Sequence, residues 1–199
     1  DCYGTKIGSE EVFVSDDPTI PESMGFYLFD DEGVESRKRE LIKGGVITDL
    51  LHNRETSFKM NIRSNAASRS VEFDKEPIIR MSNTFIEPGD YDVTELLSDI
   101  KKGVYIKNFM EWNIDDRREN QRYVGFEAYL IKNGELDINV KSPVLELTSK
   151  KFWSSVDARS KNLDFKAANC GKGEPMQGAP VWTGAPDVRL RNIRIGNRS

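Results

Sequence analysis

The strongest constraint on the fold is the stretch 123–141, in which apolar and polar residues alternate around an Asn-Gly pair. A two-residue type I′ turn prefers Asn133-Gly134, and apolar residues occupy every second position on both sides of it. These apolar positions are Val124, Phe126, Ala128, Leu130, Leu136, Ile138 and Val140. The pattern predicts a β-hairpin with one buried face, and therefore antiparallel pairing in this part of the chain.

Other stretches also read as strands joined by turns. Gly44-Gly45 predicts a second hairpin between 39–43 and 46–51, and 104–112 alternates as a further strand. The stretch 188–196 alternates in two phases with the change at Asn192, which predicts a β-bulge or a local bend.

One helix and two long loops complete the sequence-based description. The helix is predicted over 93–103, with Asp92 or Thr94 at its N-cap, Lys101 and Lys102 in its last turn and Gly103 as its end. The stretch 60–76 is polar with few apolar residues, which predicts a long loop. The stretch 168–187 contains four glycines and three prolines, which favours a structured loop.

The predicted elements indicate an α+β chain that is mainly antiparallel, with a curved or barrel-like sheet and few helices. Neither a repeat nor a change of composition divides it, so we expect a single domain over 1–199. The net charge of −4 disfavours nucleic acid as a partner. No apolar run is long enough to span a membrane, and no signal peptide opens the chain, so we expect a cytoplasmic protein without a membrane partner.

The counts of histidine and cysteine limit the chemistry further. His52 is the single histidine, which excludes a self-contained site with two or three histidine ligands. Cys2 and Cys170 are the two cysteines, too few for a disulfide-rich scaffold.

Cys170 is the first candidate functional residue, because it lies in the segment Asn-Cys-Gly-Lys-Gly over 169–173. The adjacent glycine allows close approach to a ligand, and Lys172 favours a thiolate, so a metal ligand or a nucleophile is one interpretation. The alternative is a small buried residue in a tight turn. The spacing alone favours this alternative, since no CxxC or Cys/His partner lies nearby.

The remaining candidates have weaker patterns. His52 is either a catalytic partner or a surface or hydrogen-bonded residue at the end of a strand, and the second is the commoner case. The acidic clusters at 16–17, 30–32 and 115–116 lack the spacing of a calcium loop, so solvated turns are favoured over a cation site or paired carboxylates. The basic positions Arg117, Arg118, Arg189, Arg191 and Arg194 are read as ion-pairing or strand-surface residues.

Several segments in a fixed order together resemble the C-terminal half of the TldD/PmbA family. The most specific is 80–90, with the sequence RMSNTFIEPGD, and it is accompanied by the CGKG segment at 170–173. The other matching segments are 14–21, 29–34, 41–46, 51–56, 103–107 and 184–186.

This resemblance implies a zinc metallopeptidase of the TldD type that hydrolyses unfolded peptides. In such proteins an HExxxH helix supplies two zinc-binding histidines and the catalytic glutamate, and a cysteine in a CGK segment supplies the third ligand. The cysteine corresponds to Cys170, so the implied cofactor is Zn²⁺. The HExxxH segment is expected upstream of residue 1. This chain then carries no catalytic residue, is inactive by itself, and contributes the cysteine ligand and walls of the cleft.

The resemblance also implies a homodimer, or a heterodimer with a PmbA/TldE-type subunit. The chain departs from the family pattern at 64–69, at 109–122 and at Asp187, and these departures affect loops that border the substrate cleft. An alternative is a non-catalytic scaffold or partner subunit, and the residues encoded upstream of Asp1 would discriminate between the two. A cysteine hydrolase that uses Cys170 and His52 is a third, weaker interpretation.

Overall fold

The computed structural model describes residues 3–198, which form two compact units. Unit 1 comprises 3–6, 12–87 and 163–186, and unit 2 comprises 7–11, 88–162 and 187–198. In chain order the elements are β1 (Val14–Asp16), β2 (Arg39–Lys43), β3 (Val46–Ile47), α1 (Arg54–Lys59), β4 (Ser68–Arg69), β5 (Ile78–Ile79), β6 (Asn83–Ile86), α2 (Val93–Ser98), β7 (Lys102–Ile114), β8 (Asn120–Lys132), β9 (Glu135–Asn139), β10 (Pro143–Thr148), α3 (Ser149–Ser155), β11 (Val156–Arg159), β12 (Asp164–Lys172), β13 (Gln177–Ala185), β14 (Val188–Leu190) and β15 (Ile195–Asn197).

Unit 1 is built on a six-stranded sheet with the strand order β12-β13-β6-β1-β2-β3. Its pairs are antiparallel except for β13 with β6, which run parallel. The short strands β4 and β5 form a separate antiparallel pair. The order of the larger sheet leaves β12 at one end, so its outer edge has no strand partner within the described residues.

Unit 2 contains a five-stranded antiparallel sheet, with the path β15-β10-β8-β7 and with β9 also paired to β8. A second antiparallel pair joins β11 to β14. The predicted fold class, a mainly antiparallel chain with few helices, is confirmed, and both larger sheets are open paths with terminal strands. No helix in the described part of the chain has the length and apolar character needed to cross a membrane.

The two predicted hairpin turns are confirmed. Asn133 and Gly134 join β8 to β9 with φ of 50° and 85°, and Gly44 and Gly45 join β2 to β3 with φ of 58° and 76°. Two successive positive φ angles are the signature of the type I′ turn. The buried face predicted for 123–141 is wrong in part, because Phe126 is 68% exposed and every residue of β9 is exposed.

The predicted helix over 93–103 is too long. Helix α2 begins after Asp92, whose backbone N–H donates to the Glu95 carboxylate at 2.7 Å, and it ends at Ser98. Lys102 and Gly103 belong instead to β7, because the pairing of β7 with β8 extends to Lys132. The cross-strand ladder therefore replaces the last turns that the helical pattern predicted.

The loop predictions also need correction. Most of the stretch 168–187 belongs to the β12–β13 hairpin in spite of its glycines and prolines, and the register of the two strands runs without a shift from Asp164 to Lys172. The stretch 60–76 is a loop over most of its length, but Asn65–Ser68 is buried and includes the first residue of β4. Asn192 has a φ of +55° and separates β14 and β15, which pair in different sheets.

Candidate functional site

Cys170 lies near the C-terminal end of β12, opposite Ala179 of β13. Directly opposite residues of an antiparallel pair point to the same face of a sheet, so the Cys170 side chain shares a face with Ala179, which is 3% exposed. Cys170 itself is half-buried, and its thiol is not in a disulfide. The other cysteine, Cys2, lies outside the described residues. The structure thus places Cys170 on a regular edge strand and not in a tight turn.

Arg80 holds the strand at Cys170. Its side chain is buried, and its guanidinium reaches both strands of the β12–β13 hairpin. Nη2 donates to the backbone carbonyl of Cys170, and Nη1 donates to the backbone carbonyl of Gln177 at 2.7 Å. The planar fork of an arginine suits two acceptors at once. One side chain therefore contacts both strands, at Cys170 in β12 and at Gln177, opposite Lys172, in β13.

Further polar contacts attach the same hairpin to the segment 69–81. Lys172 Nζ donates to the Ile79 carbonyl at 2.9 Å, and Arg69 Nη2 donates to the Pro180 carbonyl at 3.1 Å. Gln177 is buried, and its Nε2 donates to the Glu76 carbonyl at 3.0 Å. The interpretation of Lys172 as a group that favours a thiolate stays a prediction, and the structure adds that its ammonium donates to the backbone of Ile79.

The turn of this hairpin depends on Gly173. Its φ of +96° is in the left-handed region that residues with a Cβ rarely adopt. The turn joins Lys172 to Gln177, and the residues between them are exposed. The end of the hairpin therefore gains its order from Arg80, Lys172 and Gln177 and not from apolar packing of the turn.

A buried ion pair lies next to the strand that follows Arg80. Asp16 is fully buried and accepts from Arg39, from the backbone N–H of Ser82 at 2.8 Å and from Thr84 Oγ1 at 2.6 Å. Burial acts to lower the pKa of Arg39, but the Asp16 carboxylate and the Tyr27 hydroxyl act together in the opposite direction, and the pKa of Arg39 is raised. The solvated turn predicted at 16–17 is therefore wrong for Asp16.

His52 is a buried, hydrogen-bonded residue, the commoner of its two sequence-based interpretations. Its ring nitrogens lie 2.9 Å from Tyr3 Oη and 3.0 Å from Thr56 Oγ1, and its backbone N–H donates to Asn65 Oδ1 at 2.8 Å. Burial lowers the pKa of His52, while the charge of Asp49 acts in the opposite direction. Because Tyr3 and Thr56 engage both ring nitrogens, the Cys170–His52 hydrolase gains no support.

The acidic cluster at 30–32 organises loops. Asp30 is buried and accepts from the backbone N–H groups of Val34 at 2.9 Å and Ser68 at 3.1 Å, and Glu32 accepts from the backbone N–H of Arg54 at 2.8 Å. The solvated-turn interpretation is wrong for Asp30. Across residues 3–198, no three His, Cys, Asp or Glu side chains are grouped so as to hold a metal ion.

In the acidic pair at 115–116, Asp115 accepts from the backbone N–H groups of Glu119 and Asn120. These hydrogen bonds stabilise the turn between β7 and β8. The predicted ion pairing is found at Arg189 and Arg191, which both contact Asp157 and Asp99.

Asp187, one of the departures from the family pattern, lies in unit 2. Its carboxylate accepts from Tyr105 Oη at 2.9 Å, and its backbone N–H donates to Ser160 Oγ at 2.9 Å. Burial and this hydrogen bond raise the pKa of Tyr105 to about 12. Asp187 therefore has a structural role within its own unit.

The donor chemistry of Cys170 fits zinc as one ligand. A thiolate is a soft donor that Zn²⁺ prefers, and a half-buried thiol outside a disulfide is available to a metal. A catalytic zinc site built on Cys170 would need three protein ligands, and its other ligands would have to come from outside the described residues.

Comparison with known families decides the assignment. The model of the PmbA/TldA metallopeptidase C-terminal domain matches residues 1–197. The chain belongs to this family. The PmbA/TldA family relatives include metalloprotease MJ0996 of Methanocaldococcus jannaschii, which is 39% identical over 95% of this chain and 41% of its own length. The zinc metalloprotease TldD homolog of Saccharolobus solfataricus is 26% identical over 96% of this chain and 43% of its own length.

The fold of the chain is similar to that of a solved structure. The crystal structure of TldE from Thermococcus kodakarensis superposes with a TM-score of 0.77 at 19% identity, over 98% of this chain and 42% of that chain. The chain thus spans about two fifths of the length of the PmbA/TldA relatives that it matches.

The sequence analysis did not single out Arg80 or Gln177. It named Asp16 but did not predict that this residue is buried. Arg80 opens the family-specific segment 80–90, which is the signal that could have identified it. Gln177 has no comparable signal, since its role depends on the register of the β12–β13 hairpin.

Proposed function

We propose that this chain is the C-terminal part of a zinc metallopeptidase that hydrolyses unfolded peptides, and that Cys170 is one of the zinc ligands. The observation that carries the proposal is the position of the Cys170 thiol, half-buried on an open edge strand and fixed through its backbone by Arg80. The metalloprotease names of the relatives agree with a peptidase, and one of those names specifies zinc.

Within this proposal the chain has two tasks. Cys170 holds the metal together with ligands from outside the chain, and a bound zinc ion supplies a water molecule activated for attack on a peptide carbonyl. The general-base glutamate also lies outside this chain. Because the proposal places the general base and the other metal ligands outside this chain, we expect the chain by itself to be inactive.

The second task is to bind the substrate. The outer edge of β12 lacks a strand partner in the described residues and presents backbone groups beside Cys170. An extended peptide that adds to such an edge gains affinity from main-chain hydrogen bonds, which depend little on its sequence. A folded protein has no free extended segment to add, so unfolded peptides are the expected substrates.

The test compares Cys170→Ser with Cys2→Ser in the full-length protein. We expect Cys170→Ser to lose bound zinc, measured per polypeptide, and to lose cleavage of a reduced, denatured protein substrate. Cys2→Ser makes the same chemical change elsewhere in the sequence and should retain both. Undiminished zinc and turnover in Cys170→Ser would overturn the ligand assignment.

We propose further that the full-length protein acts in the cytoplasm as a homodimer or as a heterodimer with a TldE-type subunit. A thiol outside a disulfide suits a reducing compartment, and the similarity to the TldE fold is consistent with a related partner. Sedimentation of the full-length protein, alone and mixed with a TldE-type protein from the same organism, tests the assembly. A monomer in both samples would contradict it.

The alternative of a non-catalytic scaffold or partner subunit makes a different prediction. A scaffold would bind no zinc as the wild type, as Cys170→Ser or as Cys2→Ser. It would also assemble equally well as the wild type and as Cys170→Ser. The metalloprotease names of the relatives favour the peptidase.

A further inference from the structure

We propose that Arg80 is a positioning residue for the metal site, because it fixes the orientation of Cys170. The inference rests on the proposed function, in which Cys170 is a zinc ligand. Arg80 itself does not contact the thiol through any described hydrogen bond. Both of its bonds to the hairpin go to backbone carbonyls, one of them that of Cys170.

The effect of these bonds on the cysteine follows from backbone geometry. The carbonyl of Cys170 belongs to the planar peptide that joins it to Gly171, so a hydrogen bond to this oxygen restrains the backbone rotation at Cys170. That rotation decides the direction of the Cα–Cβ bond. The residues that follow, Gly171 and Gly173, have no side chains that could provide this restraint.

Arg80 is itself held independently of the hairpin. Its backbone N–H donates to the Ala67 carbonyl at 2.8 Å, and it directly follows β5, which pairs with β4. The residue is only 2% exposed. The backbone of Arg80 is therefore held independently of the hairpin, and from there its buried guanidinium reaches the carbonyls of Cys170 and Gln177.

Arg69 also contacts the β12–β13 hairpin, but at a residue other than Cys170. Arg69 has the same chemistry, since it donates to the Met81 carbonyl at 2.8 Å and to the Pro180 carbonyl at 3.1 Å. Pro180 lies opposite Asn169 and not opposite Cys170. Arg69 thus attaches the same hairpin through a backbone carbonyl without contacting the cysteine, and it provides a matched control.

The experiment uses the full-length protein with Co²⁺ in place of the native metal, because cobalt bound to a thiolate gives a charge-transfer absorption band. Four variants are compared with the wild type, namely Arg80→Gln, Arg80→Lys, Arg69→Gln and Cys170→Ser. Groups that orient metal ligands change metal affinity by about 10–100-fold when removed, so we expect this loss in Arg80→Gln, together with a shifted or weakened band. Arg80→Lys keeps the charge and one hydrogen bond and should show an intermediate loss.

Arg69→Gln should retain the wild-type affinity and band, even if its melting temperature falls. Retention of the band in Cys170→Ser would overturn the proposed function itself. Loss of the band in Cys170→Ser with an unchanged band and affinity in Arg80→Gln would overturn the role of Arg80 alone. An equal loss in Arg69→Gln would also overturn it, because general loosening of the hairpin would then explain both.

Arg80→Lys keeps the inference testable if circular dichroism shows that Arg80→Gln does not fold. In that case a wild-type affinity and band in folded Arg80→Lys would contradict the role of Arg80, and a weaker affinity would support it.

Discussion

The β8–β9 and β12–β13 hairpins contrast in sequence and in how they are held. The first alternates apolar and polar residues around an ideal turn, yet the apolar residues Phe126 and Ile138 remain exposed. The second is rich in glycine and proline, yet its end is attached by the buried side chains of Arg80 and Gln177. Apolar alternation therefore shows where strands form in this chain, whereas buried polar side chains attach the end of the β12–β13 hairpin.

Buried polar side chains also connect the strands of unit 1 around β1. Asp16, Arg39 and Ser82 are buried and hydrogen-bonded to one another. Buried polar groups are costly when one partner is lost, so the contrast can be tested by substitutions in the two regions.

The largest effect is expected for Arg39→Met. Removal of one member of a buried ion pair leaves the Asp16 carboxylate without compensation, and this costs about 3–5 kcal/mol in the free energy of unfolding. Denaturant unfolding of the full-length protein, with hydrogen exchange of peptides from β1 and β6, measures the loss. Arg37→Met is the control, since its pair with Asp49 spans 3.6 Å at an exposed side chain, and a similar loss there would contradict the account.

The next effect compares two isoleucines of the β8–β9 hairpin. Ile131 is buried, so Ile131→Ala should cost about 2–5 kcal/mol through lost burial and the remaining cavity. Ile138 is 64% exposed, so Ile138→Ala should change stability by less than about 0.5 kcal/mol. Equal losses in the same unfolding measurement would show that β9 is buried in solution and would remove the contrast between the hairpins.

A smaller loss is expected for Gln177→Leu. The leucine has a similar size but cannot accept from the backbone N–H of Val71 or donate to the Glu76 carbonyl. Buried groups left without partners cost about 1–3 kcal/mol, and the peptides at 71–76 and 170–178 should exchange hydrogen faster. Unchanged exchange in both peptides would mean that Gln177 does not attach the hairpin.

The smallest effect concerns the pH dependence of stability at His52. Burial lowers the pKa of His52 in the folded state, so the unfolded state binds a proton first as the pH falls. This contribution to stability is complete above the unfolded pKa of about 6.5 and is lost as the pH falls from there through the folded pKa. When the free energy of unfolding is measured from pH 7.5 to pH 5, His52→Gln should lack this part of its decline. An identical decline in the wild type and in His52→Gln would exclude a contribution from His52.

The sequence predicted those features of the fold that depend on local chemistry. The turns at Gly44-Gly45 and Asn133-Gly134 follow from residues that tolerate positive φ, and both are confirmed. The predicted end of α2 was wrong because Lys102 pairs with Lys132 and so belongs to a strand. These two residues are far apart in sequence, so the local helical pattern does not report their pairing.

The candidate site was predictable only in part for the same reason. The zinc-ligand role of Cys170 is implied by the family resemblance and stays a prediction, and the structure adds that its thiol is not in a disulfide. The contacts of Arg80 with Cys170 and Gln177 join residues about ninety positions apart or more, and no local pattern reports such a contact. The burial of Asp16 likewise depends on Arg39, Ser82 and Thr84, which lie on other strands or next to them.

X-ray absorption at the zinc edge of the full-length protein tests the central claim most directly. We predict one sulfur ligand at about 2.3 Å from zinc in addition to nitrogen or oxygen ligands at about 2.0–2.2 Å. The sulfur contribution should disappear in Cys170→Ser and remain in Cys2→Ser. A zinc site in the wild-type protein with nitrogen and oxygen ligands alone would contradict the assignment of Cys170.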